Sequence, residues 1–227
     1  MGDPLVNVTV MLLILLGAGL IAVPAALFYV FEARSSMAAL TTGERVWASL
    51  FSAVTPRTAG FDTVPTGDLS GAGSLLTMLL MLTGGNPGST AGGAKTTTML
   101  LIVLLALSLL NREDDVHLMG RRIEHDVMRR ASAILIVYLT MAMVATLIIC
   151  GLQTELALRD VLIEVFSAVN TVGMSTGITR VLSPASQLVI ILLMYAGRLG
   201  SLTFAILLTH RAQPAKVQYP TGRLLVG

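Results

Sequence analysis

The sequence predicts an all-α integral membrane protein of two tandem units, each a span, a short half-helix and a second span, with the second span of the first unit broken by an intramembrane loop. Three observations predict it. Hydrophobic residues make up 54% of the chain against 12% charged, with a mean hydropathy of +0.80, too few polar groups to cover a soluble globule. Four apolar runs, Leu5 to Phe31, Ser74 to Leu110, Ala131 to Leu152 and Ser186 to Thr209, each reach the roughly 20 residues needed to cross a bilayer. Two amphipathic stretches, Glu44 to Thr55 and Asp160 to Asn170, lie between the members of each pair and are too short to span.

The first run is too long for a signal-peptide core, lacks a basic flank and is followed by further spans, so it is expected to be retained. The first half-helix opens with Thr41 and Glu44 in the spacing of a capping box, and Pro56 stops it because the residue before proline is pushed out of the helical region. A helix of about three turns ends near mid-depth. Irregular backbone there is tolerated only where it is buried in protein or lines a wet cavity, so the segment after each half-helix is a candidate pore lining.

The second run, as one straight helix, would extend about 55 Å against a hydrocarbon core of about 30 Å. It is interrupted by TGGNPGSTAGGAKTTT, Thr83 to Thr98. A linker at 111–130 follows, mixed in charge and partly helical, expected to be a solvated connector or a docking element with His117 and His125 facing solvent. The lone Cys150 has no internal disulfide partner and is expected to be a small buried hydrophobe. The second unit occupies 131–210 and a tail 211–227.

Basic residues near the spans set the orientation. Arg112, Arg121, Arg122, Arg129 and Arg130 in the linker and Arg211, Lys216 and Arg223 in the tail put both in the cytoplasm. Arg34, Arg45, Arg57, Arg159 and Arg180 lie on the other face, partly offset by acids and partly at the pore entrances. A formal net charge of +2 gives no reason to expect a nucleic-acid partner.

The halves repeat. FSAV at Phe51 to Val54 recurs at Phe166 to Val169, Thr58-Ala59-Gly60-Phe61 answers Thr171-Val172-Gly173-Met174, and Leu80-Met81 answers Leu193-Met194, with Pro56 and Arg57 as two extra residues in the first copy. An even number of spans separates the copies, so both run in one orientation. A Thr-x-Gly turn at the end of a half-helix suits a dehydrated cation. The helix C-terminus offers partial negative charge and unpaired carbonyls, glycine lets the backbone aim successive carbonyls at one axis, and rings of carbonyls replace the hydration shell of K⁺.

TPRTAGFDTV, GGNPGSTAGGAKTTT, SAVNTVGMSTGIT, the MYAGRLGSLTF run and the ending YPTGRLLVG resemble the third and fourth span–pore helix–span units of the membrane subunit of the Trk/Ktr/HKT potassium transporter superfamily, whose units resemble those of potassium channels. The ending leans towards the Ktr branch. The resemblance implies that Thr58, Ala59, Gly60 and Phe61, with Thr171, Val172, Gly173 and Met174, hold K⁺ through backbone carbonyls, and that Asn170 lines the filter's approach. It also implies a cytosolic nucleotide-binding ring as regulatory partner, contacting linker and tail. Only two of four units are present, so a second copy, a separate chain or an upstream segment is expected to supply the rest.

The glycine-rich stretch superficially matches a phosphate-binding loop, but Ala94 stands where the lysine belongs and Lys95 comes one residue late, between leucine-rich flanks. Its polar groups are costly in hydrocarbon unless water or protein surrounds them. The loop at 84–98 is therefore expected below the filter as a gate, using Gly84, Gly85, Asn86, Gly88, Ser89, Thr90, Gly92, Gly93 and Lys95, and the resemblance agrees. Arg198 aligns with Gly85 and Asn86 across the repeat, so it is expected to repel cations in the closed state and to hydrogen-bond the loop, with Lys95 as a more peripheral charge.

The expected activity is potassium uptake across the plasma membrane as a half-length pore subunit, with Na⁺ or H⁺ as candidate coupling ions. The alternative is a non-conducting half that assembles with or regulates a complete transporter. No acid–base pair, nucleophile–base set or metal-ligand spacing occurs outside the linker, so catalysis is not expected.

Overall fold

The computed structural model describes residues 4–86, 89, 91–111, 116–118 and 121–200. Gly88 and Thr90 of the expected gate, Arg112 of the linker, the end of the last expected span and the tail 211–227 lie outside these residues.

The chain runs α1 (Pro4–Glu32), α2 (Thr42–Val54), α3 (Gly71–Leu82), α4 (Thr96–Leu110), α5 (His125–Leu152), α6 (Leu158–Val169) and α7 (Pro184–Leu199). Between α4 and α5 lies a two-stranded antiparallel ladder, β1 (His117–Leu118) and β2 (Arg121–Arg122), a minor addition to an otherwise helical chain. The broken run is thus two helices, and α5 starts inside the stretch expected to be linker, at His125, whose side chain is exposed.

Local chemistry explains the starts. The Thr41 hydroxyl accepts the Glu44 N–H at 3.5 Å while the Glu44 carboxylate accepts the Thr41 N–H and O–H, both at 2.8 Å, a reciprocal capping box. Ser70 caps α3 and Ser183 caps α7, with Pro184 in the first turn where its missing N–H costs nothing.

α1 packs on α2 and α3, α5 on α6 and α7, and two contacts, α3 on α6 and α4 on α5, join the two units. The main core is Tyr138, Ala142, Ala145 and Ile149 of α5 against Val161, Val165 and Val169 of α6 and Ile190 and Leu193 of α7. Cys150 packs half-buried at its edge. The opposite side of α5 exposes Ile136, Met143, Val144 and Leu147, a surface too apolar for water. Among the described residues α5 is the helix long and apolar enough to cross a membrane unaided.

Both units close their outer ends with the same device. Glu32, at the end of α1 and fully buried, accepts from the Ser70 N–H at 3.0 Å, the Ser70 hydroxyl at 2.5 Å and the Ser36 hydroxyl at 2.6 Å. It thereby sets a carboxylate on the positive end of α3. In the second unit Gln153, just past α5, accepts the Ser183 N–H at 2.7 Å and donates to the Val181 carbonyl. Between the units, the Arg159 guanidinium of α6 donates to Ser74 Oγ at 2.9 Å and to the carbonyls of Leu69 at 2.7 Å and Gly67 at 3.2 Å.

Candidate ion site

Each half-helix ends in a turn with the same unusual backbone. Thr58 has φ 69° and Gly60 φ 77°; Thr171 has φ 54° and Gly173 φ 93°. Positive φ is costly for a β-branched residue and persists only where its surroundings impose it. Here five donors of the turns are engaged from behind. Ala59 N and Gly60 N donate to the Thr55 carbonyl at 3.1 and 3.3 Å, Thr171 N to Ala168 O at 3.1 Å, Val172 N to Ser167 O at 2.8 Å and Gly173 N to Ser167 Oγ at 3.1 Å. Thr55 also donates its hydroxyl to the Phe61 carbonyl. Among the described residues none of the carbonyls of Thr58, Ala59, Gly60, Thr171, Val172 or Gly173 accepts a hydrogen bond. Turns with these N–H groups spent and six carbonyl oxygens open present acceptors suited to a cation.

The turns meet each other. A Cβ on Gly60 would overlap the Val172 carbonyl oxygen, and one on Gly173 would stand 3.8 Å from the Gly60 Cα. Met81, Ile163, Val172 and Met174 form a buried apolar cluster behind this contact, while Phe61 remains exposed.

The glycine-rich segment lies against the second turn. Its ends close on themselves, with Gly84 N donating to Ala94 O at 2.8 Å and Thr96 N to Gly85 O at 3.2 Å, and Thr96 Oγ1 donating to Asn86 Oδ1 at 2.8 Å. Ser89 N donates to Asn86 O at 3.1 Å. Lys95, expected at the periphery, turns its ammonium back onto the loop's own carbonyls, Ser89 O at 3.1 Å and Ala91 O at 2.7 Å. Gly92 abuts Asn170 and Thr171, and Gly93 abuts Asn170. Side chains at these positions would fill space the turn already occupies.

Arg198 is on α7 one residue after Gly197, which packs on the Val169 carbonyl and the Thr171 methyl. With Ile190 and Met194 on the same helix face, it lines a cavity of about 470 Å³ that also contains Thr171, Gly173 and Glu164. Glu164 is buried on α6 and holds the segment after the turn, accepting from the Ser175 hydroxyl at 2.7 Å and from the Thr179 hydroxyl. Among the described residues no three His, Cys, Asp or Glu side chains gather as a metal cluster.

One partnership was not expected from the sequence. Arg57 precedes the first turn, and its guanidinium donates to the carbonyl of Leu20 in α1. Leu20 lies four residues before Pro24, the proline inside α1, and proline has no N–H to offer the i−4 carbonyl. Arg57 answers the acceptor that Pro24 frees and is drawn away from Thr58 towards α1. The i−4 spacing could have flagged an open carbonyl; nothing local says which side chain fills it.

The family model for TrkH, described as a cation transport protein, matches residues 5–219. The potassium/sodium uptake protein NtpJ of Enterococcus hirae is 35% identical over 192 residues, covering 82% of this chain and 43% of that protein. Ktr system potassium uptake protein B of Vibrio alginolyticus is 30% identical, covering 92% of this chain and 46% of its own, and its Bacillus subtilis counterpart is 28% identical over 81% and 41%. The crystal structure of the potassium transporter TrkH from Vibrio parahaemolyticus superposes with a TM-score of 0.72 at 20% identity, over 85% of this chain and 43% of that one. The chain therefore has the same fold and spans less than half the length of these relatives.

Proposed function

The chain belongs to the TrkH family of cation transport proteins, and from that premise we propose that it forms half of a membrane pathway for potassium uptake, contributing two quarters of a carbonyl selectivity filter and an intramembrane gate. The observation that carries this reading is the pair of turns in which five amides are engaged from behind while the carbonyls of Thr58, Ala59, Gly60, Thr171, Val172 and Gly173 accept no hydrogen bond among the described residues. Within the filter segments Thr58 to Phe61 and Thr171 to Met174, Thr58 to Gly60 and Thr171 to Gly173 hold K⁺ through those carbonyls, and the loop at 84–98 blocks the path from below, stiffened by Lys95. Arg198 adds a positive charge at that depth, raising the barrier to a cation while the loop is closed. The relatives' names support K⁺ as cargo, and the NtpJ name supports some Na⁺ passage. Na⁺ or H⁺ coupling belongs to the same proposal.

Two quarters do not enclose an axis. α3 packs on the pore helix α6, its Met81 clustering with the buried Ile163, whereas Val46, Trp47, Leu50 and Val54 of α2 are exposed. By the repeat, the uncovered face of α2 takes the second span of a preceding unit, from a second copy or from the segment or chain that supplies the other two units. Linker and tail face the cytoplasm, where a nucleotide-binding ring would contact them.

The test is ⁸⁶Rb⁺ uptake in bacteria lacking their own potassium uptake, with wild type and Gly60→Ala. Uptake by the wild-type chain that Gly60→Ala abolishes supports a conducting filter, since the added Cβ overlaps the Val172 carbonyl at φ 77°. No uptake by wild type, alone or with the missing units, refutes conduction and leaves the assembly role.

A further inference from the structure

Where α3 meets α6, the two units join in a fixed register. Met81 of α3 is fully buried in a cluster with Ile163 of α6 and with Val172 and Met174 of the second turn, and Phe166 packs against it. A polar clasp accompanies this apolar contact: Arg159, at the start of α6, donates to Ser74 Oγ and to the carbonyls of Gly67 and Leu69.

Each half of that joint occurs a second time in the chain, without its mate. By the repeat, Met194 of α7 answers Met81, Phe61 answers Met174 and Phe51 answers Phe166. Met81 and Met174 are 0% and 7% exposed, whereas Met194 and Phe61 are 52% and 71% exposed, and Phe51 and Tyr195 are open as well.

The clasp recurs with donor and acceptor exchanged on both sides. Counted from Phe51 and Phe166, Glu44 stands where Arg159 does. Counted from the N-caps Ser70 and Ser183, Gln187 stands where Ser74 does and Arg180 where Gly67 does. Glu44 takes both bonds from Thr41 on Oε2, which leaves Oε1 open. Arg180 is exposed and makes no hydrogen bond or ion pair among the described residues. An exchange on one edge alone would spoil the match, but made on both it gives edges complementary to each other, and such charge patterns select a partner.

We propose that a second copy of this chain covers both edges, related by a two-fold axis along the ion path. Met194 seats against the partner's Phe51 and the partner's Phe61, and Arg180 and Gln187 meet the partner's Glu44. The same contacts form reciprocally, as a two-fold interface demands. The two turns of each copy then surround one axis and close the filter. The inference rests on the pathway reading and adds which molecule completes the ring.

The experiment uses the full chain with Cys150→Ala, oxidised in native membranes. Phe61→Cys combined with Met194→Cys should give a covalent dimer, as should coexpressed chains carrying one cysteine each, whereas either single cysteine should stay monomeric. Glu44→Gln keeps the capping box without the charge, and with Arg180→Gln it tests the clasp without touching the turns. By fluorescence dilution in mild detergent, each should raise the dimer dissociation constant about fivefold, and the double variant should be no weaker than either single. Independent, multiplying effects overturn the register. Monomer alone, or pairing only with a polypeptide that carries two further units, overturns the second copy as partner. Uptake of ⁸⁶Rb⁺ separates the two readings: crosslinked dimers without uptake sink the pathway alone, and uptake without dimers sinks the dimer alone.

Discussion

If Arg57 is held by the carbonyl that Pro24 frees, the two residues must be energetically coupled although they touch only through Leu20. Arg57→Met keeps most of the side-chain stem and removes the donor. It leaves the Leu20 carbonyl unpaired, a cost of about 1–3 kcal/mol for a buried acceptor, so a loss near 2 kcal/mol is expected, about a thirtyfold shift in the folding equilibrium. Pro24→Ala supplies an N–H at the i+4 position, and α1 can then close its own ladder at Leu20. In that background Arg57→Met should cost less than about 1 kcal/mol, a coupling of at least about 1 kcal/mol. Effects of Arg57 on anything other than Leu20 appear in both backgrounds and cancel in the cycle. The four proteins are compared by reversible SDS unfolding in mixed micelles, followed by the fluorescence of Trp47, which is 71% exposed on the neighbouring helix α2. Costs that add to within about 0.4 kcal/mol would refute the partnership.

Arg159→Met and Ser74→Ala test the joint between the units by the same method. The bond at 2.9 Å to Ser74, a residue only 1% exposed, should give a coupling of about 1–2 kcal/mol, and a coupling near zero would mean that Arg159 holds the first unit through the Leu69 and Gly67 carbonyls and not through Ser74. The capping box makes a pH prediction. The Thr41 N–H and hydroxyl hold the Glu44 carboxyl below its ordinary value of 4.5, so the cap's contribution is complete above that value and lost as pH falls through the lower folded one. Protection of the first-turn amides of α2 should fall in that acid window in wild type and stay flat in Glu44→Gln, which keeps the box without the charge; equal acid sensitivity in both would assign the effect elsewhere.

What the sequence determined by itself was the part that local chemistry dictates. Apolar run length gave the helices, Thr41 with Glu44 gave the start of α2, and the glycines after Thr83 gave the break between α3 and α4, because hydrogen bonding, proline and glycine act on their own stretch of backbone. The two Thr-x-Gly turns were legible for the same reason, reinforced by the repeat. The tertiary structure alone decided where the polar side chains go. Arg57 reaches a carbonyl 37 residues away, Glu32 caps a helix that begins 38 residues later at Ser70, Lys95 folds onto its own loop, and Asn170 faces Gly93 with an oxygen unpaired. Helical periodicity reports one element at a time, whereas these partnerships depend on which helices pack and at what depth. A buried donor or acceptor takes whichever group the packing brings within about 3 Å.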